Sequence, residues 1–240
     1  MRIIDNLQVN NDLTVQGPGI YSSAYGIKTG VNTVTVNGNM SVEGTGLSDG
    51  TYSVLGNMSW SGGQIYGVTI NLSGNLNWTG GTIYTPTFVL NGSAAQGITS
   101  TGNSFYNLTV TNASANGVTF SDSSGVTNNF VCITPSAKMT FTGTTTHTWN
   151  DINLNGGAVG TRITMQSSDA SDWLFNVTSQ TDVSYVDVSH SNALGGIEID
   201  ASNGTNNDGG NNLNWDFGVT ISGTCRQYDQ ASNCPDAETV

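Results

Sequence analysis

Short segments in which apolar and polar residues alternate recur along the first half of the chain. Three of them have the order apolar–polar–apolar, and the interval from each to the next is the same. They are Met40-Ser41-Val42, Met58-Ser59-Trp60 and Leu76-Asn77-Trp78. Side chains along a β-strand point alternately to opposite faces, so each segment predicts a short strand with one apolar and one polar face. A Gly-Asn pair precedes each segment and tolerates the positive φ of a sharp corner.

The constant spacing of these strands predicts an all-β parallel β-solenoid, whose coils contain about 18 or more residues each. Coils stacked about 4.8 Å apart bring equivalent residues into ladders along the interior. The two expected interior ladders are Met40, Met58, Leu76 and Val42, Trp60, Trp78. Weaker copies of the motif recur at other spacings, so some coils are expected to be longer than the regular period. The predicted solenoid covers residues 1–217.

An antiparallel β-sandwich is the alternative architecture for short alternating strands. Sandwiches of this kind use two-residue Asn-Gly hairpin turns, and such pairs begin at Asn37, Asn91 and Asn116. A constant period is more typical of stacked coils than of paired unlike strands. The spacing therefore favours the solenoid, and strand direction is the observation that separates the two folds.

The composition excludes an α-helical protein and argues against nucleic-acid binding. The 240 residues include 31 Gly, 29 Asn and 32 Thr, residues that favour strands and turns over helices. Phosphate contacts need Lys or Arg, yet the chain has only five, and none lies between Thr29 and Ala137. The net charge is −12, and most of the acidic residues follow residue 150. These acids are expected to keep the surface solvated.

Neither a membrane span nor a secretion signal is visible in the sequence. A spanning helix needs about 20 consecutive apolar residues, and no run approaches that length. The N-terminal segment becomes polar at once, without the apolar region of a signal peptide. We therefore expect a mature fragment of a longer protein.

The second half keeps alternating segments but loses the strict period. Residues 183–190 alternate in a way that predicts one strand, with Val183 and Tyr185 on one face and Val186 and Val188 on the other. A long polar loop at 203–212 follows, and residues 213–217 predict the final strand.

The motifs Gly-Asn-Leu-Thr-Val, YVDVSHS and GTNNDGGNNLNW together resemble the right-handed parallel β-helix segments of large bacterial secreted and cell-surface proteins. Adhesin-like and filamentous-haemagglutinin-like chains contain such segments, and the resemblance covers about residues 5–217. It implies an extracellular or cell-surface location. Residues 218–240 resemble the start of a further β module, or a tail that a neighbouring subunit completes.

The cysteines and histidines offer few candidates for chemistry. Cys225 and Cys234 are a candidate disulfide in an oxidising exterior, while Cys132 has apolar neighbours and is expected in the core. A nucleophile needs a histidine base and an orienting acid. The only histidines are His147 and His190, and no suitably placed acid accompanies either in the sequence, so no catalytic triad is expected.

A carbohydrate-active β-helix enzyme is the enzymatic alternative. Such an enzyme would use paired carboxylates or acidic calcium ligands with a basic residue. The candidate residues are Asp182, Asp187, Glu198, Asp200 and Arg162. The usual glycosidase signatures are missing, so we expect no enzymatic activity and no cofactor.

Calcium is the one metal to consider. The loop at 200–212 lacks the ligand spacing of an EF-hand but contains three oxygen-bearing residues that could bind calcium irregularly. They are Asp200, Asn206 and Asp208. Turn formation by these side chains is the simpler interpretation.

Aromatic residues also repeat at the coil period. Trp60 and Trp78 share a face with Met and Val, which predicts that they lie in the core. Tyr66 and Tyr84 are spaced in the same way, and an exposed aromatic ladder of this kind would bind sugar rings.

The function expected from the sequence is structural or adhesive and non-enzymatic. The expected partners are further copies of the chain (a filament), neighbouring domains of a longer chain, or surface carbohydrate, but neither nucleic acid nor a membrane. A carbohydrate-active enzyme and a viral tail-fibre or spike segment are the alternatives.

Overall fold

The structure is a computed structural model that describes residues 5–17 and 26–218. Throughout this part of the chain, paired strands run parallel, and each coil contributes strands to two long sheets. The first of them, sheet 1, has ten described strands. They are β1 (Leu7–Val9), β4 (Thr33–Val36), β7 (Thr51–Val54), β10 (Thr69–Leu72), β13 (Thr87–Leu90), β15 (Ser104–Val110), β17 (Ser124–Cys132), β19 (Thr146–Asn155), β21 (Trp173–Ser184) and β23 (Ser191–Asn192).

Sheet 2 also has ten described strands. Each of the first nine follows a strand of sheet 1 after a corner, whereas a strand of another sheet precedes the tenth. They are β2 (Leu13–Val15), β5 (Met40–Val42), β8 (Met58–Trp60), β11 (Leu76–Trp78), β14 (Gln96–Thr99), β16 (Val118–Phe120), β18 (Lys138–Phe141), β20 (Ile163–Ser167), β22 (Val186–Val188) and β25 (Asn207–Asp208).

Sheet 3 forms the third side of the early coils and ends at β12. Its strands are β3 (Gly26–Lys28), β6 (Gly46–Ser48), β9 (Gln64–Tyr66) and β12 (Thr82–Tyr84). A two-stranded sheet near the end of the described chain contains β24 (Ile199–Asp200) and β26 (Trp215–Asp216). A single 3₁₀ turn spans Val159–Thr161.

This topology confirms the all-β parallel β-solenoid and excludes the antiparallel sandwich. Equivalent strands are on average about 21 residues apart. The separation is 18 residues where Asn57 contacts Asn39 and where Asn75 contacts Asn57, but 22 residues where Gly97 contacts Asn75. Loop insertions therefore lengthen the later coils, whereas the parallel pairing continues.

The interior is one hydrophobic column. Met40, Met58 and Leu76 pair in register on adjacent strands of sheet 2, and all three are buried. Trp60 and Trp78 stack beside them, with ring centroids 4.5 Å apart. The expected ladder of Val42, Trp60 and Trp78 is thus present in the described structure. Phenylalanine and tryptophan rings continue the column through the later coils.

The strand predicted for residues 183–190 was wrong. Tyr185 has a φ of 54°, and this left-handed residue makes a corner between β21 and β22. Because the corner restarts the alternation, Val183 is buried together with Val186 and Val188, not on the opposite face. The predicted final strand is also shorter than expected, since Leu213 is exposed and β26 begins at Trp215.

Side chains at one corner link successive coils by a repeated hydrogen bond. The Oδ1 atom of each acceptor takes a hydrogen bond from the backbone N–H of the equivalent residue one coil later, at 2.6–2.9 Å. In chain order, the acceptors are Asp12, Asn39, Asn57 and Asn75, and the donors are Asn39, Asn57, Asn75 and Gly97. The two middle bonds follow the 18-residue period of the Gly-Asn motif, whereas the outer two span 27 and 22 residues, so the ladder continues into longer coils.

Removing one acceptor from the corner ladder should cost a measurable amount of stability. In Asn57→Ala, the backbone N–H of Asn75 loses its acceptor. We expect a loss of about 1 kcal/mol in the free energy of unfolding, measured by urea titration. Asn57→Asp keeps the acceptor oxygen, as Asp12 does naturally, and should retain most of the stability. Equal losses in both variants would contradict a role for this oxygen.

Candidate functional site

The candidate catalytic residues lie among polar neighbours close to the turns. Asp182 accepts hydrogen bonds from Asn155 and Ser184, at 2.9 and 2.6 Å. Asp187, on β22, accepts one from the Asn207 amide. The Arg162 Nε atom donates to a backbone carbonyl, that of residue 205, at 2.8 Å. The bonds from Asn155 and Asn207 connect neighbouring coils, whereas that from Ser184 lies within one strand and that of Arg162 spans 43 residues.

The three calcium candidates also make hydrogen bonds typical of turns. The Asn206 amide donates to two backbone carbonyls, and its Oδ1 accepts from the backbone N–H of Val186. Asp208 accepts from the backbone of Gly210. Asp200 accepts from the hydroxyl and the backbone N–H of residue 202, and these bonds lower the pKa of its carboxyl group. Among the described residues, no group of three His, Cys, Asp or Glu side chains is placed to bind a metal.

His147 lies inside the solenoid. Its two ring nitrogens contact the hydroxyls of Ser124 and Thr145, each at 2.9 Å. Burial lowers the pKa of His147 to about 3, so the imidazole is neutral at physiological pH. A serine beside a histidine has the contact of a nucleophile and its base. Here both residues are buried, and the second nitrogen contacts a hydroxyl in the place of an orienting acid.

His190 is partly exposed and contacts a different acid from the one nearest to it in the sequence. Its Nδ1 lies 3.3 Å from Asp172, and its Nε2 lies 3.2 Å from the Asn211 amide. The nearest acid in the sequence is Asp187, on the preceding strand. The corner at His190, with a φ of 55°, instead directs the ring toward the neighbouring coil.

The cysteine candidates divide between the core and the undescribed tail. Cys132 is buried and free, and burial raises the pKa of its thiol to about 12. Cys225 and Cys234 lie outside the described residues, as does the predicted tail module apart from Gly218.

Two exposed tyrosines form the main surface feature of sheet 3. Tyr66 and Tyr84 pair in register on β9 and β12, with ring centroids 5.8 Å apart and planes inclined by 45°. Tyr66 is 56% exposed and Tyr84 is 44% exposed. The Ile65 side chain points into the core, so alternation directs its neighbours outward. We call Tyr66 and Tyr84, with Gln64 and Ser48, the tyrosine ridge.

The surroundings of the tyrosine ridge are polar and almost uncharged. Gln64 Nε2 donates to the Tyr84 hydroxyl at 3.5 Å. Ser48 precedes Tyr66 in the same outward column of sheet 3. At the start of that column Lys28 lies 4.0 Å from Asp49, and both side chains are about half exposed. An exposed ion pair of this kind is weak and leaves the ridge neutral.

A column of threonines on sheet 1 was not predicted from the sequence. Thr33, Thr51, Thr69 and Thr87 occupy equivalent outward positions on four adjacent strands. Their constant spacing was a usable signal in the sequence, although the residues that follow each threonine vary. This column gives the side face of the early coils a regular hydroxyl surface.

Comparisons with known proteins add no functional assignment. Searches of protein-family models, curated proteins and solved structures find no match to the chain. In the part of the chain that the structure describes, no helix has the length and apolar character needed to cross a membrane.

Proposed function

We propose that the chain is a non-enzymatic, rod-shaped structural or adhesive segment of a secreted or cell-surface protein. The observation that carries this proposal is the uninterrupted pairing of ten parallel strands in each long sheet around one hydrophobic column. At about 4.8 Å for each coil, this stack measures roughly 45 Å. Such a stack holds its two ends at a set distance.

The polar clusters support a structural role more than a catalytic one. The carboxylates, the buried histidine and the corner asparagines bond to neighbouring coils or to their own turns. Each such bond stabilises stacking, which a solenoid needs because each coil contacts only its neighbours.

The exterior suits a surface exposed to proteases. Continuous backbone pairing protects the chain, and residues 29–137 offer no Lys or Arg to trypsin-like enzymes. The surface location rests on the resemblance of the sequence, and antibody labelling of intact cells of the source organism tests it. Labelling that requires lysed cells would contradict the proposed location.

End-to-end assembly is the self-association that this architecture favours. Within the described residues, sheet 1 ends at β1 and β23, while sheet 2 ends at β2 and β25. Strands at the end of a sheet are templates for pairing with another chain. Light scattering over a concentration series tests this part of the proposal, and a monomer at all concentrations would contradict it.

Deleting one complete coil tests the rod directly. Deletion of residues 57–74 removes one full period and joins Gly56 to Asn75, which places Leu76 beside Met40 in sheet 2. We expect a folded protein that is shorter by about 4.8 Å in small-angle X-ray scattering.

The control for this deletion changes the register by one residue. Deletion of residues 60–76 joins Ser59 to Asn77 within one strand, so Asn77 takes the inward position and Trp78 the outward one. We expect this variant to misfold, and circular dichroism measures the loss of β-structure. Equal behaviour of the two deletions would overturn the proposal of interchangeable coils.

A further inference from the structure

We propose that the tyrosine ridge binds an uncharged oligosaccharide, with one sugar ring stacked on Tyr66 and the next on Tyr84. This proposal deepens the adhesive part of the proposed function and rests on it. The solenoid itself does not depend on the ridge, because both rings lie outside the hydrophobic column.

The exposure of the two rings is the first observation. Trp60 and Trp78 have the same spacing as these two tyrosines, but both are buried. Tyr66 and Tyr84 instead project from the surface beside one another. Tyrosine combines an apolar ring face with a polar hydroxyl, a combination suited to a ligand that has both characters. A pyranose has such a structure, with C–H groups on its face and hydroxyls around its edge.

The direction and spacing of the pair indicate a chain of sugars. The two tyrosines lie on adjacent coils, so the line between them follows the solenoid axis. Their centroid separation of 5.8 Å is close to the rise of one sugar unit in an extended 1,4-linked chain. The inclination of 45° between the ring planes fits a chain that twists from one unit to the next.

The polar neighbours supply hydrogen bonds for the sugar hydroxyls. Gln64 and Thr82 form one outward column of sheet 3, beside the column of Ser48 and the two tyrosines. Amide and hydroxyl groups both donate and accept hydrogen bonds, as a sugar hydroxyl requires. Gln64 also contacts the Tyr84 hydroxyl, which orients that ring.

Charge disfavours an anionic ligand on this surface. The residues of the ridge carry no charge, and the Lys28 ammonium beside it lies 4.0 Å from the Asp49 carboxylate. A phosphate-rich or uronic-acid polymer would therefore find no cluster of cations among these residues, whereas an uncharged polymer needs none.

Area excludes a second copy of this chain as the occupant. The outer face of sheet 3 has four strands of three residues, or about 200 Å² at 4.8 Å between strands and 3.3 Å along them. A stable protein interface buries about 800 Å² on each partner. The ridge matches the footprint of a short oligosaccharide instead.

Native gel electrophoresis of the full chain through immobilised polysaccharide tests the proposal. The probes are hydroxyethylcellulose and galactomannan as neutral polymers and alginate as an anionic one. We expect at least one neutral polymer to retard the protein and alginate to leave its mobility unchanged. Retardation should weaken at least tenfold in the double variant Tyr66→Ala, Tyr84→Ala. The exposed Leu55, at another corner, provides the control Leu55→Ala, which should keep full retardation.

Three results would overturn the proposal. They are a lack of retardation by both neutral polymers, retardation that survives the double variant, and dimerisation that the double variant abolishes. Small-angle scattering of the double variant distinguishes failure of the sugar-binding proposal from failure of the proposed rod. If only the ridge is changed, the dimensions of the double variant should match those of the parent protein. A changed scattering curve would count against the placement of both rings outside the core.

Discussion

Met58→Asp is expected to abolish folding of the early coils. Met58 is buried between Met40 and Leu76 in sheet 2, and the contacts around it are apolar. The substitution removes a core side chain and places an unpaired carboxylate there, a loss on the order of 5 kcal/mol or more. A domain of ordinary stability has only about 5–15 kcal/mol in total. Circular dichroism and urea unfolding measure the loss.

Ser59→Asp is the matched control for this experiment. Ser59 is the next residue of the same strand, but it is exposed on the outer face of sheet 2. A surface substitution of this kind changes stability by about 0.5 kcal/mol or less. Similar losses in the two variants would show that the strand does not have one inner and one outer face, and the solenoid would be wrong.

The stability of the protein is expected to fall steeply in acid because of His147. Its pKa is about 3 in the folded protein, below the usual value of 6.5, since burial disfavours the charged ring. Below pH 6.5 the unfolded chain therefore binds a proton that the folded chain does not. Above pH 6.5 this histidine does not reduce the free energy of unfolding. From pH 6.5 down to pH 3 the free energy of unfolding decreases by about 1.4 kcal/mol for each pH unit. The total loss approaches about 5 kcal/mol.

The variant His147→Gln isolates this effect from the titration of the acidic residues. Glutamine does not titrate, so the difference in free energy of unfolding between parent and variant should shrink as the pH falls from 6.5 to 3. Urea titrations at a series of pH values measure this difference. The control variant is His190→Gln, at a partly exposed position. Its stability should keep the pH dependence that His147 causes. Parallel stability curves for the parent and His147→Gln would refute the buried, neutral histidine.

The repeat was enough to predict the fold of the early coils. The constant spacing of the motif fits one coil, and the alternation around Met40, Met58 and Leu76 distinguishes the inner face from the outer one. The same logic fails at Tyr185, where apolar residues continue to alternate but the backbone turns. A left-handed conformation at a tyrosine is rare, so composition gave no sign of this corner.

The candidate site was only partly predictable. The spacing of Tyr66 and Tyr84 predicted that they are adjacent, and the inward position of Ile65 places them outside. The contacts of the two histidines were not predictable in this way. Ser124 meets His147 across 23 residues, in a coil that is longer than the regular period. Asp172 meets His190 across 18 residues, but longer coils precede this pair, so the repeat cannot be counted forward to it.

By itself, the sequence determined the strand period, the apolar face and the neutral exterior of the early coils, because these depend on residues close together in the chain. Tertiary structure alone decided which side chains meet across coils of unequal length. In those coils the strand register depends on where the chain rejoins the hydrophobic column after each insertion, and packing of the core selects that register. The middle rungs of the corner ladder follow the 18-residue period, whereas its outer rungs span 27 and 22 residues and the contact of Ser124 with His147 spans 23.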